Sequence, residues 1–435
     1  MTTTQAAQLY KEGKYQEALV AYNMLVQTNP VAANYLGLAQ SYQKLGYTIH
    51  AIEALNEGIA HNPQDINLQF LLAQVHFNAH NLDAAKEILG PLYASNKENL
   101  VVVAMYLNHC VVTQDYHKAT TLIPFLSKKG GNHIGILNNI GMVYVEMGDM
   151  RSAMQTFRKG FKVFLANPLP KAAPKAQEFL DQEAGKKALL AIKKALDELG
   201  VPFLLAAGTL LGIYRDGDLL PHDKDIDLML PWNIPRLELI DAVSRYGFVC
   251  HSSKEDIAGE KGQWNIMLVH LASGATIDFF FLKPEDDKLV HSIYKNGKIL
   301  SIRETNTGRS QIEYAGETFW TYGDIELYFR EKYGEDWRVP KANHNGLILS
   351  NSDGRTYDPH GIGIALCYNH CLGALCEAYY KKGHGYAMQL LSVHDDPLLL
   401  KVKKYLEKNL KEEWYPHIPY RKQRTNNRTL FGIRD

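Results

Sequence analysis

The stretch GTLLGIYRDGDLLPHDKDIDLML, residues 208–230, decides how the second half of this chain is read. It sets Asp223, Asp225 and Asp227 at every second position of an otherwise apolar run. In a strand, residues i, i+2 and i+4 share a face. The three carboxylates therefore point one way, while Ile226 and Leu228 point the other, towards a core. Like charges so close repel one another unless a cation sits among them. Grouped hard oxygen ligands suit Mg²⁺ or Mn²⁺. Asp223 reads either as a partner of the other two or as a turn-capping residue that holds Arg215. At the head of the stretch, VPFLLAAGTLLG reads as a buried strand running into a Gly-Thr turn. Backbone amides and a hydroxyl at Gly208 and Thr209 suit a diphosphate. Gly212 allows close packing of the helix that follows. Arg215 reads either as a fork on a phosphate oxygen or as an internal salt bridge to Asp218 or Asp223.

About fifty residues on, GATIDFFFL carries Asp278 as a lone acid in an apolar strand. A buried, unpaired carboxylate is costly. An ion shared with Asp225 and Asp227 removes that cost; a hydrogen-bonded buried acid is the alternative.

These segments resemble the LicD/fukutin family. The family pattern is a Gly-Thr-Leu-Leu-Gly turn, an Arg, then an Asp-rich strand ending Asp-Ile-Asp. TIDFFFL is similar to its Asp-Ile-Phe-Phe strand, and YGDIELYFREKYGEDWRVP (322–340) to its closing block. The likeness covers roughly residues 184–340. It implies an α+β nucleotidyltransferase fold, a metal site of Asp225, Asp227 and Asp278, and a phosphate cradle at Gly208 and Thr209. It also implies that Asp278 is either a third ligand or the base that deprotonates an acceptor hydroxyl. The implied activity moves phosphocholine or a phosphopolyol (ribitol or glycerol phosphate) from a cytidine-diphosphate-activated donor to a hydroxyl of a cell-surface glycan or lipo-oligosaccharide. His222 and Lys224 depart from the usual pattern, which puts the substrate rather than the metal chemistry in doubt. Lys224 belongs to the face opposite the carboxylates. Tyr333, Gly334 and Trp337 of the closing block read as packing beneath the site. Two other readings stay open: transfer of a nucleoside monophosphate, and an interaction scaffold whose catalytic domain has decayed.

The first 168 residues carry an internal repeat. Ala18, Ala51, Ala85, Ala119 and Ala153 recur at intervals of 33 or 34 residues. Four residues after each comes Tyr22, Leu55, Leu89, Ile123 or Phe157. Gly141 and Tyr144 precede Ala153 as Ala39 and Tyr42 precede Ala51. Small residues let two helices approach, and large ones fill the space between repeats. This resembles about five tetratricopeptide repeats, an all-α solenoid with a concave face. Such a face suits a protein partner or self-association; a spacer is the plainer reading.

Pro168, Pro170 and Pro174 mark a linker over 169–183. A catalytic domain is expected over 184–345 and a helical extension packed on it over 346–435. The chain has 435 residues, with Lys plus Arg equal to Asp plus Glu at 47 each. That balance leaves no basic footprint for nucleic acid. No run is long and apolar enough to span a membrane, and no signal-peptide pattern opens the chain. Five scattered cysteines read as reduced thiols. Together these point to the cytoplasm, with peripheral contact at the inner membrane face left open, for instance through the basic YRKQRTNNRTL. Cys367, Cys371 and His370 read as a buried helix with inert thiols rather than a zinc site. SIRETNTGRSQIEY reads as a solvated turn, or as a loop closing on an anion through Arg303 and Arg309.

Overall fold

The structure is a computed structural model that describes residues 2–45, 47–79, 81–167, 182–221, 223, 225–250, 252, 254–340 and 356–409. The proline-rich linker, His222, Lys224 and the basic C-terminal stretch lie outside the described residues. No helix among those described is long and apolar enough to cross a membrane. Packing divides the chain after Asp115, into units 1–115 and 116–435, and not at the proline-rich linker.

The first unit is helical, with helices at Thr3–Lys11, Tyr15–Thr28, Ala32–Lys44, Thr48–His61, Ile66–Asn78, Leu82–Ser95 and Leu100–Val112. The small-residue period is the reason they can stack. Ala18, Ala51 and Ala85 have no exposed surface, and Leu55 and Leu89 fill the space beside them. Gly37 lies under the Tyr22 ring, where a Cβ would come within 2.2 Å of it. Thr2 and Gln5 form a capping box at the first helix. Asp65, Asn81 and Asn99 accept from amides of the first turns of later helices, satisfying donors that would otherwise be orphaned.

The second unit opens with helices Tyr116–Lys129, Ile134–Glu146 and Met150–Ala166. They continue the period: Ala119 and Ala153 are fully buried, and Gly141 lies against the Phe157 ring. A mixed sheet follows. Its strands are β1 (Leu204–Leu205), β2 (Asp225–Pro231), β3 (Phe248–Val249), β4 (Asn265–His270), β5 (Thr276–Glu285), β6 (Lys288–Lys295), β7 (Lys298–Thr305) and, beyond a separate hairpin, β10 (Thr356–Tyr357). The order is β1-β2-β5-β6-β7-β10, with β4 on β5 and β3 on β4. β2 and β5 are parallel, which sets Asp227 beside Asp278. The hairpin is β8 (Arg309–Tyr314) with β9 (Glu317–Tyr322). SIRETNTGRSQIEY is thus strand, short turn and strand, so Arg303 belongs to β7 and Arg309 to β8, not to one loop.

The alternation in β2 and β5 gives the sheet two different faces. Ile226, Leu228, Leu230, Ile277, Phe279 and Phe281 are fully buried and pack in one core with Ala188, Leu189, Ile192 and Leu196 of the Gln182–Glu198 helix. A second core joins Phe157, Phe161 and Phe164 of the last repeat to Leu300 and Ile302 of β7. It also takes in helices Ile362–Cys376, Tyr380–Val393 and Pro397–Asn409. Glu146 at the end of the 134–146 helix is buried against Lys295 of β6 and lies 3.8 Å from Lys261. The C-terminal helices therefore pack on the last repeat as well as on the sheet.

Candidate active site

The polar face of β2 and β5 floors a cavity of about 700 Å³. Asp225, Asp227 and Met229 of β2, Asp278 and Phe280 of β5, and His291 and Ile293 of β6 contribute to that floor. One end is the start of the Ala207–Asp216 helix. The rest of the wall comes from the closing block and from the 134–146, 362–376 and 380–393 helices.

Oxygens of Asp223, Asp225 and Asp227 all lie within 4.8 Å of one another. Asp223 precedes the strand and completes this trio from the loop. Asp278 stands beside the trio on the paired strand but outside it. Burial pushes the Asp227 carboxyl well above the carboxylate range, and Asp225, Asp223 and Asp278 add to the shift; Lys332 opposes it. Burial and then Asp225 push Asp278 up to about 8, against the pull of Lys295. Carboxyls forced this way lack counter-charge. A set of close, hard oxygen donors on a cavity floor fits a divalent cation such as Mg²⁺ or Mn²⁺.

Gly208 and Thr209 lie in the first turn of the 207–216 helix rather than in a turn before it. A Cβ at Gly208 would fall 1.7 Å from Asp223 Oδ2, so only glycine lets that carboxylate reach the trio. Thr209 is buried, and its Oγ1 accepts from the Asp227 amide at 2.9 Å. It therefore ties the helix to the strand that carries the carboxylates. Gly212 lets the 218–220 backbone approach, with Asp218 O only 2.6 Å from where a Cβ would be. Ala207 takes a left-handed φ of 44°, and its amide donates to the Tyr328 hydroxyl at 2.8 Å. Strain of this kind persists only when the surroundings hold it.

Arg215 lines the cavity. Its guanidinium forks onto Asp216, with Nε and Nη2 each 2.7 Å from a carboxylate oxygen, and Nη1 reaches the Trp337 carbonyl at 3.5 Å. Its internal partner is thus neither Asp218 nor Asp223. Asp218 instead accepts from the Tyr314 hydroxyl.

The closing block does more than pack beneath the site. Its Ile325–Tyr333 helix carries Lys332 and Tyr333 to the cavity wall, and Trp337 follows them there. Burial and the charges of Asp227 and Asp223 raise the Tyr333 phenol well above its ordinary value. Lys332 was not singled out in the sequence, although it adjoins Tyr333 in a matched motif. Asn138, Asn369, His370, Lys382 and Tyr386 also line the cavity from helices remote in sequence. A signal for Asn138 was present: it is a polar residue in the apolar helix IGILNNIGMVYVE. Cys367 and Cys371 are buried and face the Tyr380–Val393 helix, with Cys371 Sγ donating to Gly383 O at 3.3 Å. His370 lines the cavity, and among the described residues no metal-ready cluster of three forms with these cysteines.

Residues 200–308 match the family described as LicD/FKTN/FKRP, nucleotidyltransferase domain, and residues 134–165 match a tetratricopeptide repeat. The Ribitol-5-phosphate transferases FKTN of Macaca fascicularis and Homo sapiens are each 45% identical to this chain over 179 residues. That stretch is 37% of this chain and 34% of each relative, so the chain spans about a third of the length of the curated relatives it matches. The Mus musculus protein is 26% identical over the same length. Among solved structures, the chain resembles MamA, with a TM-score of 0.33 and 19% identity over 36% of this chain and 93% of that one. YrrB, described as a TPR protein with an unusual peptide-binding site, gives 0.32 and 14% over 36% and 82%. The chain therefore carries a LicD/FKTN/FKRP nucleotidyltransferase domain and a tetratricopeptide repeat.

Proposed function

We propose that the protein is a LicD-type phosphotransferase. It moves a phosphopolyol or phosphocholine group from a cytidine-diphosphate-activated donor to a hydroxyl of a cell-surface glycan or lipo-oligosaccharide. The observation that carries this reading is the carboxylate trio with Asp278 beside it, on a cavity floor whose walls bring in Lys332 and Arg215. The partial similarity to ribitol-5-phosphate transferases favours phosphoribitol as the group moved.

Asp225 and Asp227, with Asp223, are the residues that hold Mg²⁺ or Mn²⁺. When bound, such an ion ties phosphate oxygens and stabilises charge on the leaving group. Lys332 and Arg215 supply fixed positive charge for the diphosphate, and the N-terminus of the 207–216 helix at Gly208 favours an anion. Asp278 takes the proton of the acceptor hydroxyl: burial and the Asp225 charge raise its proton affinity, and a cation among the neighbouring carboxylates would offset that charge and keep Asp278 ionised. The hydroxyl oxygen then bonds to phosphorus as the bond to cytidine monophosphate breaks in line. The helices of residues 1–115 offer a surface for a protein partner or a second copy. Catalysis on the cytoplasmic side, with peripheral membrane contact, completes the reading.

The test is incubation with Mg²⁺, a glycan acceptor panel and cytidine-diphosphate donors of choline, ribitol and glycerol. Release of cytidine monophosphate with a phosphodiester product, scored by mass, is expected. Pyrophosphate release with a nucleotidylated acceptor would replace this reading with nucleotidyl transfer. No product with any donor would favour the scaffold.

A further inference from the structure

The wall of the cavity away from the sheet has no assigned role. It is built by the last repeat and the C-terminal helices, and it supplies Asn138, Asn369, His370, Lys382 and Tyr386. It lines the same cavity as Asp223, Asp225, Asp227 and Asp278. Two residues of the cavity lining each carry a buried polar atom without a hydrogen-bond partner: Asn138 its Oδ1 and His291 its Nδ1. His291 is 97% buried on the floor, and its Nε2 already meets Glu304 at 3.4 Å. The Asn138 amide comes close to Gly373, with Nδ2 3.2 Å from where a Cβ would stand there. An orphaned buried acceptor is unfavourable and is normally satisfied. Here the groups that could satisfy it are those of whatever enters the cavity.

The geometry points to a subsite for a hydroxyl-rich group, a polyol or a sugar, in which Asn138 Oδ1 accepts a ligand hydroxyl and His291 Nδ1 completes the same pocket. Hydroxyls both donate and accept, which matches a lining of amides, imidazoles and a phenol. The subsite rests on the transferase reading above for its two candidate occupants, the polyol of the donor and the sugar of the acceptor. It gives the last repeat a direct part in substrate choice.

The test uses the full chain and Asn138→Ala. Calorimetry compares cytidine diphosphate with cytidine-diphosphate-ribitol in Mg²⁺, so that the ratio of affinities isolates the polyol. Loss of one hydrogen bond corresponds to about a three- to tenfold change. If the donor's polyol fills the subsite, N138A weakens binding of the ribitol donor by that factor and leaves cytidine diphosphate unchanged. If the acceptor's sugar fills it, the ratio holds and the acceptor KM rises by that factor. Equal weakening of both nucleotides would assign Asn138 to the cytidine part and overturn the proposal. So would no change in either ratio or KM. Thermal unfolding of the ligand-free proteins gives a second reading, because removing an orphaned acceptor should leave Tm unchanged or raise it. A lowered Tm with unaltered binding would make Asn138 purely structural. Should the wild type transfer nothing, saturation-transfer NMR with ribitol 5-phosphate still decides: the ligand's signal is lost in N138A if the subsite is real and kept if it is not.

Discussion

Two sets of buried acids share one sheet, and they have opposite characters. Glu304 of β7 is buried and surrounded by partners: His291 at 3.4 Å, the Tyr322 hydroxyl at 2.6 Å and Lys332 at 3.7 Å. Burial alone would raise its carboxyl, but His291, Lys332 and Tyr322 together pull it down to about 2. Asp278, two strands away on β5, and Asp227, three strands away on β2, are pushed up by burial and by neighbouring carboxylates. The first set is complete within the protein. The second is complete only with a ligand. Lys332 joins them, since it bridges Glu304 and also offsets the charge at Asp227. The same fold thus carries a structural ionic cluster that positions a cation for a site left electrostatically open.

The largest effect should come from the open set. Asp225→Asn with Asp227→Asn removes the charge that holds a divalent ion and should lower phosphodiester formation by about 10³-fold or more, as expected when several kcal/mol of charge stabilisation is withdrawn. The fold should survive, because the change relieves repulsion. Circular dichroism and donor turnover measured together check this; undiminished turnover would end the catalytic assignment.

The complete set responds in the opposite sense. Glu304→Ala leaves Lys332 and His291 without their shared anion and should cost about 3–5 kcal/mol of stability. Urea unfolding reads that directly. A loss below 1 kcal/mol would mean the cluster is not the strut its geometry describes.

The comparison also predicts two opposite pH dependences. Glu304 has a folded value near 2 against an ordinary 4.5. Its stabilisation is present above about pH 4.5 and is lost as pH falls towards 2. Asp278 is raised from 3.8 to about 8. Its contribution is full below 3.8 and is lost as pH rises through 8, at up to about 1.4 kcal/mol per pH unit for one group. Metal-free protein should therefore lose Tm between pH 4 and 8, and Mg²⁺ should suppress the loss. A Tm that ignores Mg²⁺ at pH 8 would count against a cation among these carboxylates.

How much of this was legible follows from the range of each interaction. The alanine period and the alternation in DKDIDLML are local patterns, and the helices and strand faces they implied are those observed. A lone acid in an apolar strand left Asp278 two readings, and the family resemblance implied a site shared with Asp225 and Asp227; the parallel register sets Asp278 beside Asp227. What the sequence left open turns first on which near neighbour a side chain takes, and then on contacts far along the chain. Asp223 joins the trio because Gly208 makes room for it, and Arg215 takes Asp216 instead of a more distant acid. The cavity wall that carries Asn138 and His370 exists because the last repeat and the C-terminal helices share a core that no local pattern announces.

The smallest expected effect lies at the seam between the two ends of the opening stretch. Thr209 Oγ1 accepts the Asp227 amide at 2.9 Å in a buried setting. Thr209→Val keeps the shape and removes the acceptor, leaving that N–H unpaired at a cost of about 1–3 kcal/mol; Thr209→Ser keeps the oxygen and should cost less. A phosphate ligand bound directly by the hydroxyl makes a different prediction. In that case Val would raise the donor KM with little change in unfolding free energy. A strut for β2 makes the stability loss dominant, with turnover falling only as far as Asp227 drifts. Measuring both on the two variants therefore separates a residue that holds the open cluster in place from one that touches its ligand.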